Sequence, residues 1–100
     1  MKPAVFHDHA TVELDEAAAW YQQRKPGLGE EFLSAVEETV RRICERPEAG
    51  TPYGATRFRY VLIRRFPYIV FYSEDVQVIR VMAIAHGRRK PDYWKNRKVT

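Results

Sequence analysis

Two β-prone runs in the second half of the chain, 68–72 and 76–85, are joined by a Ser73-Glu74-Asp75 turn signal, and the second run feeds straight into a cationic tail. Residues 64–94, RRFPYIVFYSEDVQVIRVMAIAHGRRKPDYW, therefore predict a β-hairpin that delivers charge, and the remainder of the chain must cover its apolar side. Along 76–85 the two-residue period of a strand puts Gln77, Ile79, Val81, Ala83 and Ala85 on one face, and Val78, Arg80, Met82, Ile84 and His86 on the other. The first face is almost wholly apolar and predicts core. The second is mixed, which sets Arg80 and His86 on the more solvated side.

Cover for that core is written upstream. Ala4-Val5-Phe6, after Pro3, predicts a short edge strand. Asp8 or Thr11 can cap a following helix, whose first turns carry Glu13, Asp15 and Glu16, the charge favoured by the helix dipole. Leu14, Ala17, Ala18 and Tyr21, with Ala10 before them, form its apolar stripe, and Trp20 lies to one side, placed to cover the edge of the core. The Arg24-Lys25-Pro26-Gly27-Leu28-Gly29 segment breaks the helix, with Leu28 as a hydrophobic pin in the turn. A second helix follows, striped by Phe32, Val36, Val40, Ile43 and Cys44 with Leu33 beside them, and it stops by Pro47. Residues 11–46 are thus expected to be a helical hairpin, 47–54 a loop, and 57–65 a strand that completes a three-stranded antiparallel meander, with Pro67 in its connection.

The fold class that follows is α+β: one small domain over residues 1–100, in the order β-α-α-β-β-β. A helical hairpin packs on one face of a mainly antiparallel, curved sheet, and the other face, with Arg80 and His86, is expected to be free for a partner.

One hundred residues leave no room for two independent cores. No apolar run approaches the roughly 18 residues of a membrane span, and MKPAVFHDH lacks the apolar stretch of a secretory signal, so a cytoplasmic protein with no membrane contact is expected. The single Cys44, inside an apolar helical pattern, fits a reducing compartment and a packing role. Charge is unevenly divided. Residues 1–50 hold six Lys/Arg against ten Asp/Glu, net −4, and residues 51–100 hold eleven against three, net +8. If the second half forms one surface, that surface attracts an anion, either nucleic acid or an acidic protein segment.

Several chemistries lack their residues. Histidines at 7, 9 and 86 with one cysteine give no metal-site spacing, so no metal is expected. Gly27 and Gly29 lack the Lys-Ser/Thr of a phosphate loop, and Ser34 and Ser73 sit in no nucleophile motif, so no cofactor and no hydrolase triad are expected. What is left is a basic and aromatic set. Arg64, Arg65, Arg80, Arg88, Arg89, Lys90 and Trp94 are the candidates for gripping a partner. His86 with nearby arginines could run acid–base cleavage of a phosphodiester, whereas Tyr93 and Trp94, after Pro91, could instead fold back and close the sheet edge.

Three stretches, FHDHATVELDEAAAWYQQRKPGLGEEF, RRFPYIVFY and AIAHGRRKPDYW, in this order resemble the RelE/ParE superfamily of type II toxin–antitoxin toxins across nearly the whole chain. The resemblance implies a compact β-α-α-β-β-β toxin neutralised by an antitoxin segment laid over it. It also implies one of two targets. RelE-like members cleave mRNA on the ribosome, while ParE-like members act on DNA gyrase without a nuclease site. The nuclease members carry two lysines, one residue apart, on the strand before the FPY-like turn, and an Arg just after that turn's aromatic residue. Here those positions are Tyr60, Leu62 and Ile69, which favours the ParE-like, binding mode. His86, Arg88 and Tyr93 match functional C-terminal positions of nuclease members and would be the catalytic set if this were one. A third possibility is a non-toxic relative whose basic surface binds nucleic acid or protein.

Overall fold

The structure, a computed structural model, describes residues 1–90 and 92–98. Strand β1 (Ala4–Phe6) leads into helices α1 (Asp8–Arg24) and α2 (Leu28–Glu45), then a single 3-10 turn at Pro47–Ala49, and strands β2 (Thr51–Pro52), β3 (Phe58–Leu62), β4 (Tyr68–Glu74) and β5 (Ile79–His86). The sheet runs β1-β5-β4-β3-β2, with β1 parallel to β5 and every other pair antiparallel. The expected architecture holds with one strand added. Residues 51 and 52 pair with Tyr60 and Arg59, inside what composition makes a loop. Two residues carry no period to read, and Pro52 is tolerated there because β2 is an edge.

The two helices form for reasons the sequence states only in part. His7 donates its backbone N–H to the Val81 carbonyl at 2.9 Å, so the chain is held extended through residue 7 and the helix can start only at residue 8. His7 itself is the N-cap, its Nδ1 accepting from His9 N–H at 3.0 Å, and Asp8 and Thr11 lie within the helix rather than capping it. At the start of α2, Gly27 takes φ 89° and has no side chain to cap with. Gln22 of α1 does so across the turn, its Oε1 accepting from the N–H groups of Gly27 and Gly29 at 3.1 Å each. The bend is closed further by the lack of a side chain at Gly29, where a Cβ would stand 2.5 Å from the Ala18 carbonyl oxygen.

All five residues of the α2 stripe are buried, and so are Ala10, Ala17 and Ala18 of α1. Small residues on α1 let α2 come close, and the gap beyond them is filled by an aromatic knot. Tyr21 and Phe32 each pack against Phe66 and Tyr68, with Tyr21–Phe66 and both Phe32 pairs at centroid separations of 5.0–5.1 Å. Edge-to-face pairs of this kind add about 1 kcal/mol each beyond burial. Trp20 covers the core edge in part: it stands edge-on to Tyr21 at 5.1 Å, while half of it is exposed, with the Arg24 guanidinium 4.3 Å above its ring.

Register departs most from expectation in β5. The strand begins at Ile79, because Asp75 N–H bonds the Val78 carbonyl and closes a turn that leaves Val76 exposed. Phe71 then pairs with Ala83 while Tyr72 pairs with Val81, so Met82 is an extra residue, a β-bulge. A bulge inverts the alternation beyond it. Ile79, Val81 and Ile84 face the helices, whereas Met82, Ala83 and Ala85 face away. His86, which pairs with Tyr68 and stacks edge-on against it at 5.1 Å, lies on the helix side. Arg80 and His86 therefore occupy opposite faces, not the shared face that an unbroken period demands.

The second face is not free. Trp94, 1% exposed, lies over Phe71 and Phe58 at centroid distances of 4.5 and 4.9 Å, and Tyr53 closes in beside it. The tail after β5 has folded onto the sheet as a second cover. Aromatic rings that could grip a partner gain more by burying themselves on an apolar sheet face than by standing in water.

Candidate functional site

Glu13 organises one end of the molecule. It lies one turn after Ala10 and one turn before Ala17, on the buried stripe of α1, where a carboxylate must find partners. It finds four. Oε1 accepts from Ile84 N–H at 3.0 Å and from the Arg97 guanidinium at 2.9 Å, while Oε2 accepts from Arg97 at 2.9 Å and from the Tyr93 hydroxyl. Arg97 also donates to the Met82 carbonyl at 2.9 Å. Past Val81, where β1 has ended, the Glu13 and Arg97 side chains take up these two backbone groups of β5, much as a further strand would.

Charges respond accordingly. Burial pushes the Glu13 carboxyl up, but Arg97, Tyr93 and the Ile84 amide outweigh that and leave it below its ordinary value. Burial, reinforced by Glu13, raises the Tyr93 phenol strongly, so it stays protonated as a donor.

Above this lock opens a cleft of about 560 Å³, between the second half of α1 and the end of β5. Ala17, Tyr21, Pro67, Tyr68 and Ile84 make its apolar part; Trp20 stands at its edge, and Glu16, His86 and Arg89 are its further polar lining. His86 Nδ1 accepts from Arg88 N–H at 3.0 Å, so the neutral ring carries its proton on Nε2 and presents a donor. Arg89 lies 3.9 Å over the Tyr93 ring.

The sequence-derived candidates separate into three groups. Gly87 N–H bonds the Pro67 carbonyl at 2.8 Å, tying the turn after β5 to the β3–β4 turn, so Arg64, Arg65, Arg88, Arg89 and Lys90 share one end of the sheet. Tyr21, packed on Phe66, brings Arg24, the last residue of α1, and Lys25 after it to that end as well. Arg80 is six residues away from His86 along β5, about 20 Å at strand rise, and is paired with Asp75 at 3.0 Å. Trp94 is inside the second core. Not all the remaining cations are available either, since Arg65 is paired with Glu31 at 2.7 Å, whereas Arg88, Arg89 and Lys90 make no ion pair among the described residues.

His86, Arg88 and Tyr93 do not converge on one point. His86 lines the cleft, the Tyr93 hydroxyl is spent on Glu13, and Arg88 is exposed on the turn outside the lining. The three other positions singled out by sequence, Tyr60, Leu62 and Ile69, do come together. Leu62 pairs with Ile69 and Tyr60 with Phe71 on the face away from the helices, and Leu62 is 65% exposed. Sequence reasoning missed Glu13 as a site residue and Arg97 as its partner. A carboxylate on the apolar stripe of α1 was the available sign for Glu13; nothing local marks Arg97 as its partner 84 residues later.

No group of three or more His, Cys, Asp or Glu able to hold a metal occurs among the described residues. Nor is any helix among them long and apolar enough to cross a membrane. Residues 4–91 match the family described as ParE toxin of type II toxin–antitoxin system, parDE. Among solved structures, the chain is similar to one titled "Chromosomal ParDE TA system from P. aeruginosa", at 20% identity and a TM-score of 0.66, covering 86% of this chain and 96% of that one. No curated protein matches it.

Proposed function

This chain belongs to the ParE toxin family of type II toxin–antitoxin systems, and we propose that it arrests growth in the cytoplasm by binding DNA gyrase, not by cleaving RNA. The observation that carries the choice is the Tyr60–Leu62–Ile69 surface. Cleaving a phosphodiester builds charge on the phosphate, which cations or several hydrogen-bond donors must stabilise; here an exposed leucine faces an isoleucine, and the Tyr60 phenol is the one donor among the three residues. The same surface suits a protein target, because the exposed Leu62, flanked by the half-buried Tyr60 and Ile69 on a rigid sheet, can bury against another protein. The dispersal of His86, Arg88 and Tyr93 points the same way.

A cognate antitoxin follows from membership of the family, and the cationic end of the molecule favours an acidic one. Supercoiling of relaxed plasmid by gyrase, with increasing amounts of the purified chain, tests the target. Loss of supercoiling is expected. Supercoiling untouched at large toxin excess, together with mRNA cut on ribosomes, would assign the chain to the nuclease branch. Normal growth of cells expressing it without antitoxin would make it a non-toxic relative.

A further inference from the structure

Besides the cleft beside α1, a groove of about 460 Å³ opens between α2 and β3. Its apolar part comes from Ile43, Val61 and Leu62, and its cations are Arg42 in the last turn of α2, Arg46 at the C-cap, and Arg64 after β3. Glu38 and Glu45 also line it, but Arg41 already takes both, at 2.6 and 2.7 Å. Arg42, Arg46 and Arg64 make no ion pair among the described residues, so the groove keeps a positive excess. The Glu38 carboxyl senses both walls: the hydrogen bond from Arg41 holds it below its ordinary value, and the charges of Arg42 and Arg64 add to the effect. The groove's hydroxyls are spent, Thr39 donating to the Ala35 carbonyl at 2.8 Å and Tyr72 to the Pro47 carbonyl at 2.6 Å. Its free donors are therefore guanidiniums. A helix C-terminus favours nearby cations, which accounts for Arg42 and Arg46 but not for Arg64, which lies on no helix.

We propose that this groove binds a small phosphorylated ligand of nucleotide size, its phosphates held by Arg42, Arg46 and Arg64 and its organic part lying on Ile43, Val61 and Leu62. Arginine forks match phosphate oxygens two at a time, and residues four apart on a helix stand about 6 Å from one another, within reach of one phosphate or two linked ones. A terminal phosphate carries about −1.5 to −2 at pH 7, against −1 for a carboxylate, which answers a cluster of cations better. The volume lies within the roughly 300–1,000 Å³ of small-molecule sites. A polymer fits less well. The Pro47–Ala49 turn carries the chain from α2 to β2, and Ala49 and Gly50 line the groove, so a strand or peptide laid along it would run into backbone at that end. The assignment holds whichever macromolecule the toxin acts on.

The test is titration calorimetry of the purified full chain with ADP and with inorganic pyrophosphate. Both should bind, ADP the tighter because only it covers the apolar part. Arg64→Glu and Arg46→Gln should each weaken ADP by about 10-fold or more, while Arg57→Glu, the same charge change as Arg64→Glu but at the opposite end of β3, should weaken it less than about 3-fold. Arg46→Gln keeps a long polar side chain at the helix end, and thermal melts of the free variants confirm that each is folded. No saturable heat with either probe, or ADP bound equally well by wild type and both groove variants, would overturn the proposal. A single-stranded DNA oligonucleotide or a glutamate-rich peptide that binds where ADP does not, and is lost in both groove variants, would give the groove to a polymer and overturn it as well. None of these outcomes bears on gyrase, whose supercoiling assay stands apart.

Discussion

Glu13 and Arg97 meet as a two-point ion pair, both bonds 2.9 Å, with only 13% and 12% of their side chains exposed. One residue sits in the second turn of α1 and the other in the tail, so the pair fastens the tail to the first helix and to the edge of β5. Removing one partner of such a pair leaves the other charge buried. Arg97→Ala is therefore expected to cost about 3 kcal/mol in urea unfolding, several times more than Arg41→Ala, whose contacts with Glu38 and Glu45 are half-exposed. Equal losses in the two variants would contradict the lock.

The same pair sets a pH dependence. The Glu13 carboxyl titrates lower in the folded protein than its ordinary 4.5, so as pH falls the unfolded chain takes up the proton first. Its contribution is complete well above 4.5, declines below it, and is gone once the folded carboxyl is protonated. The stability gap between wild type and Glu13→Gln should stay constant from about pH 7 to about pH 5.5 and then narrow toward pH 3. Denaturant titrations at a series of pH values check this, and a gap that widens in acid would rule it out.

The two tryptophans predict opposite outcomes. Trp94 fills the second core against Phe58 and Phe71, and Trp94→Ala should cost about 3–5 kcal/mol through lost burial and the cavity left behind. Trp20→Ala removes a half-exposed ring and should cost less than about 1 kcal/mol. Chemical denaturation of both variants separates the structural ring from the one free to meet a partner; similar losses would mean that Trp20 is also structural.

How far the chain announces this arrangement depends on the range over which each interaction acts. The α2 stripe, the helix-breaking turn and the strand runs are local patterns, and each was legible. The bulge at Met82 was not, because it arises from pairing with β4 and leaves no mark on the period of β5 itself. That single inserted residue moved His86 to the helix side and into the cleft. The end of the molecule that would carry the site could be read from the sequence as a concentration of arginines. Which arginines are free could not: pairing of Arg65 with Glu31, of Arg80 with Asp75 and of Arg97 with Glu13 is a product of the fold.

Gly29 tests the helical hairpin. Alanine is the better helix former by up to about 1 kcal/mol, so propensity alone favours Gly29→Ala. The added Cβ would stand 2.5 Å from the Ala18 carbonyl oxygen and 3.0 Å from Gln22 Cβ, and backbone cannot give way without opening the angle between α1 and α2. Overpacking of this kind costs about 1–3 kcal/mol, which outweighs the gain. A lower melting temperature by about 5 °C or more is expected from calorimetry, and a rise would show that the helices are less tightly crossed than they stand here.

Salt offers a way to count which cations a partner meets. Arg88, Arg89 and Lys90, without ion pairs among the described residues, should dominate the long-range attraction of an acidic partner, while Arg80 is already satisfied by Asp75 at the far end of β5. Affinity for the antitoxin should then fall as ionic strength rises, because exposed charges are screened over about 10 Å at 0.1 M salt. Lys90→Ala or Arg88→Ala should flatten that dependence and slow association, whereas Arg80→Ala should leave both nearly unchanged. Association rates measured over a tenfold range of salt decide it. A flat wild-type profile, or a slope that responds to Arg80 and not to Lys90, would place the electrostatic contact at the other end of the sheet.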